Sequence, residues 1–112
     1  MMKVIFSTIV ILAVAINVSA QKVYAVKYKN QADVAVFVVA YSNQADLKVF
    51  KVDYANQATK NSGKWFFTEY PNQAQKKIFF ADYANQADLK IYFVKYQNQA
   101  GWNNKSKMQL LY

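Results

Sequence analysis

The pentapeptide Tyr-x-Asn-Gln-Ala is written six times in this chain, at residues 28–32, 41–45, 54–58, 70–74, 83–87 and 96–100, and a seventh tyrosine, Tyr112, closes it. A repeat of this kind constrains the fold more than any local propensity, because every copy has to adopt the same small unit and bury its apolar face against other copies. Successive tyrosines are 13, 13, 16, 13, 13 and 16 residues apart, so the chain divides into two laps of 42 residues, 28–69 and 70–111, each with two short units and one long one. A shift of 42 also aligns Asp46-Leu47-Lys48 with Asp88-Leu89-Lys90, Phe37 with Phe79, Val52 with Val94 and Asn61 with Asn103. Those matches lie outside the pentapeptide, so the longer period belongs to the whole lap.

Between motifs the residues read as strands. In Leu47-Lys48-Val49-Phe50-Lys51-Val52-Asp53-Tyr54, Leu47 and Val49 share one face while Phe50, Val52 and Tyr54 share the other. The apolar face changes between Val49 and Phe50, and equivalent adjacent pairs recur at Val23-Tyr24, Val36-Phe37, Trp65-Phe66, Ile78-Phe79 and Ile91-Tyr92. A strand that switches face midway holds a bulge or passes from one packed layer to another. β-branched and aromatic residues dominate and helical spacing does not, which predicts an all-β domain of about seven short strands.

Only two Gly and one Pro are available for turns. Asn tolerates the left-handed backbone region and bonds its own main chain, so Asn30, Asn43, Asn56, Asn72, Asn85 and Asn98 are the expected turn-makers. The adjacent Gln is less typical of an exposed tip and suits backbone groups at a buried corner. Tyr28, Tyr41, Tyr54, Tyr70, Tyr83 and Tyr96 are expected in the core, and the insertions Lys60-Asn61-Ser62-Gly63 and Trp102-Asn103-Asn104-Lys105 in exposed loops.

Stability has to come from the 19 aromatic residues, each burying roughly 150–250 Å² when packed, since there is no Cys to cross-link the chain. The absence of Cys and His also removes zinc sites and Cys–His or Ser–His nucleophile arrangements, so no cofactor, metal or catalytic residue is implied. Met1-Met2-Lys3, the apolar run 4–16 and Asn17-Val18-Ser19-Ala20 read as a signal peptide over residues 1–20, leaving a domain at 21–112 in the periplasm or outside the cell. The apolar run falls short of the roughly 20 residues that span a bilayer, and no later segment reaches that length. Cleavage would remove one lysine and turn a net charge of +8 into +7.

With the two laps, units such as Tyr41-Ser42-Asn43-Gln44-Ala45-Asp46 and Tyr83-Ala84-Asn85-Gln86-Ala87-Asp88, and the signal peptide, the chain resembles the bacterial septoil knot domain family. These are small exported all-β domains whose backbone forms a seven-crossing torus knot. The resemblance covers essentially residues 21–112 and implies a path of two laps around a ring, a structure that resists unfolding, and no catalytic residues. On the residues alone, an unknotted closed meander and a β-solenoid are the alternative folds.

Lysine recurs six residues before the motif tyrosine at Lys22, Lys48, Lys64, Lys77 and Lys90, with Ala35 and Ser106 as exceptions. Around an axis these would form a basic ring, either a solvated face or a ligand-binding surface for an envelope polysaccharide or another anionic polymer. All the cations are lysines, which lack the bidentate fork of Arg. Tyrosine beside Asn and Gln also suits sugars, although the start of a mannose-binding lectin motif at Gln44-x-Asp46 and Gln86-x-Asp88 is not continued at Lys48, Phe50 and Val52. Asp33, Asp46 and Asp88 follow the motif, and Asp53, Glu69 and Asp82 precede the tyrosine, positions that suit capping or pairing with Lys better than catalysis. The expected function is that of an exported, monomeric, non-enzymatic stable domain, with glycan or anionic-polymer binding as the alternative.

Overall fold

The β-branched and aromatic runs form seven strands: β1 (Lys22–Ala25), β2 (Val34–Val38), β3 (Leu47–Lys51), β4 (Lys64–Phe67), β5 (Lys76–Phe80), β6 (Leu89–Phe93) and the short β7 (Gly101–Trp102). The computed structural model describes residues 21–58 and 60–112; the signal-peptide reading of residues 1–20 lies outside them. β1 to β6 are parallel and close into a ring in the order β4-β1-β5-β2-β6-β3, with β3 returning to β4, while β7 adds antiparallel to β3. Each of β1, β2 and β3 therefore lies between two strands of the set β4, β5 and β6. Two laps are interleaved, and neither a meander nor a solenoid has this order. Leu47 is opposite Ile91 and Lys48 opposite Tyr92, so Phe50 and Tyr92 lie on paired strands two residues out of register.

Parallel strands usually need a dozen or more connecting residues. Here eight suffice for β1–β2, β2–β3, β4–β5 and β5–β6, because each of these connections steps directly over one strand of the other lap; β3 and β4 are neighbours in the ring and are joined by residues 52–63. After β2, the Val39 N–H donates to Ile91 O on one side of β6; after the turn, the Asp46 N–H donates to Lys90 O on its other side. The β1–β2 connection straddles β5 in the same way through Val26 and Asp33, and the β4–β5 connection straddles β1 through Thr68 and Gln75.

Plain alternation across the ring wall explains the apolar face change. The strands contain no phase slip: Val23, Val36, Val49, Trp65, Ile78 and Ile91 point inward and are fully buried, while the aromatic that follows each points outward and is half-buried. The six outward aromatics lie on the outer face of one sheet, and the buried core is a single cluster inside the ring. At every junction the register shifts by two repeat positions, and this stagger around six strands gives a steep tilt and a narrow interior that side chains fill. Leu111, from the closing 3-10 helix Lys105–Leu111, enters the same core.

Three local expectations are corrected. The asparagines do not adopt left-handed backbone; among the described residues the one non-glycine with positive φ is Lys60. Each Asn is the middle residue of a 3-10 turn such as Ser42–Gln44, closed by an N–H from Gln44 to Tyr41 O at 3.0 Å. Right-handed dihedrals serve for that turn, which is why so few glycines are needed. The glutamines do not occupy buried corners: all six are exposed. The insertions are not free loops either, since Gly63 is buried and the Trp102 Nε1–H donates to Asn61 O at 3.0 Å, joining one insertion to the other.

Candidate functional site

Regular pleating of the ring places all five lysines of the sequence pattern on its outer face, each opposite an aromatic on the neighbouring strand. The pairs are Lys22 with Phe66, Lys77 with Tyr24, Lys90 with Phe37, Lys48 with Tyr92 and Lys64 with Phe50. The sixth junction pairs Ala35 with Phe79, so one of the two exceptions to the lysine pattern, Ala35, marks the one junction without a cation. The sequence shows lysine and aromatic positions separately; their pairing follows from the two-residue stagger, which sequence alone does not supply.

The motif tyrosines stand above this belt. Contrary to the core expectation, Tyr28, Tyr41, Tyr54, Tyr70, Tyr83 and Tyr96 are 58–68% exposed. Each has extended backbone as the residue before its 3-10 turn, which sends the side chain outward while its carbonyl closes the turn. Between a tyrosine turn and the next crossing lies an open groove, and three such grooves have about 590, 570 and 530 Å³. The first has Lys48, Tyr92, Tyr96 and Gln99 on its walls, the second Lys77, Tyr24, Tyr28 and Gln31, and the third Lys90, Phe37 and Gln44. All three combine a lysine, an outward aromatic and a turn glutamine, and the first two add the motif tyrosine.

The acids are structural at three of the six positions. Asp33, Asp46 and Asp88 turn their carboxylates onto the backbone N–H groups of Lys77, Lys90 and Ala35, at 2.8, 2.9 and 2.9 Å. This is capping, aimed at the neighbouring strand. Burial raises the Asp46 pKa, but the Lys90 N–H, the Asn104 amide and the Lys107 ammonium at 3.4 Å together hold it below its ordinary value. Among the described residues no group of three or more acids is placed to hold a metal ion.

A family model for the 7(1) septoil knot domain matches residues 20–103, three quarters of the chain. The chain belongs to the septoil knot domain family. No curated protein and no solved structure matches it. The two-lap path expected of the family is the interleaved strand order seen here, and in this septoil knot the ring is built from the inward apolar and outward aromatic positions of the repeat. At the far end of this septoil knot's barrel, Phe67 lies between Phe80 and Phe93, and Lys51 sits 4.7 Å from the Phe93 ring centroid, a contact that the sequence pattern did not single out.

Proposed function

We propose that this protein is an exported, non-enzymatic domain whose selected property is persistence outside the cytosol. The observation that supports this most is the straddling of each crossed strand by a connection of the other lap. A protease must bind an extended, locally opened segment, and such openings come from regions with few buried contacts. In this ring β1 to β6 have both edges paired, and lifting one strand requires displacing the crossing that covers it. The closed ring of β1 to β6 also offers no free edge to a second copy, and β7, the strand with one partner, is only two residues long, in keeping with a monomer. Placement in the periplasm or outside the cell rests on the signal-peptide reading, and a non-enzymatic role on the lack of Cys and His and on the capping duty of the acids.

Incubation of the purified protein with a broad-specificity protease tests this. The expected result is an intact band over hours under native conditions. Rapid cleavage inside β1 to β6 would overturn the reading.

A further inference from the structure

We propose that the outer grooves bind an acidic polysaccharide, with lysine meeting a sugar carboxylate and the turn tyrosine covering a sugar face. This goes beyond persistence, and neither reading depends on the other.

The fold does not account for the tyrosines. The 3-10 turn uses only the backbone of each, and with 58–68% of the residue exposed the ring contributes little burial, yet the chain repeats it at all six turns. An exposed aromatic with amide groups three residues away offers stacking together with donors and acceptors for hydroxyls. Gln99, Gln31 and Gln44 line the respective grooves. Charge then selects the class of sugar: Lys48, Lys77 and Lys90 each line a groove, and no acid lines any of the three. A single ammonium suits an isolated carboxylate, whereas the dense phosphates of nucleic acid are more often met by forked Arg, of which there is none.

Two of the grooves adjoin. Ser42 and Gln44, the two ends of one turn, line the first and third grooves, and β6 gives Tyr92 to one and Lys90 to the other. A polymer lying across that turn reaches both, so its second contact is intramolecular and strengthens the first.

The test uses the purified protein at physiological salt with polygalacturonate, its fully methyl-esterified form, single-stranded DNA and polyphosphate. Saturable binding to polygalacturonate is expected, weakened at least about tenfold by esterification and by either Y28A/Y96A or K48Q/K77Q/K90Q. Tyr83→Ala is the internal control: the strand junction leading to it pairs Phe79 with Ala35 in place of a lysine, so binding should stay within about twofold of wild type. The esterified polymer needs no variant and so reads the charge requirement whatever the variants do. The proposal is overturned by absent saturable binding, by equal binding of the ester, by equal losses in Tyr83→Ala and Tyr96→Ala, or by tighter binding of DNA or polyphosphate that Y28A/Y96A leaves unchanged.

Discussion

Asp33 and Lys77 exchange two hydrogen bonds across neighbouring strands: the Asp33 N–H donates to Lys77 O at 2.7 Å, and the Lys77 N–H donates to Asp33 Oδ2 at 2.8 Å. The carboxylate stands in for the carbonyl that a longer strand would supply. Asp46 with Lys90 and Asp88 with Ala35 repeat the exchange, and Gln75 does the same for Lys22 through its side-chain oxygen at 3.0 Å. Removing the acceptor strands an N–H at the start of a strand. Asp33→Ala and Asp88→Ala should each cost about 1–2 kcal/mol, whereas Asp→Asn, which keeps an acceptor, should cost less. Denaturant melts of the four variants read this directly.

Asp46 gives stability a dependence on pH. Its pKa is lower in the folded protein than its ordinary value of 3.8, so its contribution is complete above that value and is lost as pH falls through the folded value. Asp46→Asn should therefore be less stable than wild type near pH 7, with the gap narrowing below about pH 4. Thermal melts of both proteins from pH 7 to 2.5 check it, and a gap that widens on acidification would contradict the assignment.

Inner and outer repeat positions should respond oppositely to truncation. Ile78 is fully buried in the ring and Tyr83 is 65% exposed. Ile78→Ala should cost about 2–5 kcal/mol by transfer and cavity effects. Tyr83→Ala should stay within about 0.5 kcal/mol, as surface changes generally do. A large loss at Tyr83 would mean that the turn tyrosines are structural after all.

The long period of the fold is legible in the sequence because interleaving repeats a whole lap, and matches such as Asp46 with Asp88 and Phe37 with Phe79 mark equivalent places on it. The outward placement of Lys48 and Lys90 was legible too, since alternation within a strand needs only Leu47 and Val49, or Leu89 and Ile91, as reference. Local conformation was not. Asn43 is compatible with left-handed and 3-10 backbone alike, and the hydrogen bond that decides, from Gln44 to Tyr41, joins main-chain atoms that carry no residue signature. Tyr41 reads as core because it is aromatic, yet extended backbone before a turn sends it to solvent. Phe50 looks like a change of face because it is apolar on the outer wall of the ring, and only the strand order shows that its cross-strand neighbour there is Lys64.

The two glycines should not be equally replaceable. Gly63 has φ +90°, and a Cβ there would lie 2.5 Å from Lys48 O and 3.1 Å from Gly101 N, both backbone atoms held by the ring. Neither can yield without disturbing β3 or β7, so Gly63→Ala combines left-handed strain with a clash and should cost about 3 kcal/mol or more. Gly101 also has positive φ, +153°, but nothing lies within 4 Å of the added carbon, so Gly101→Ala should carry the backbone strain alone, about 1–2 kcal/mol. The comparison isolates closure of the ring beside β3, because Phe50 donates its N–H to Gly63 O at 2.8 Å and Lys64 begins the strand that completes the circle. Equal melting temperatures for the two variants would show that this approach relaxes freely and that the ring is not fastened there.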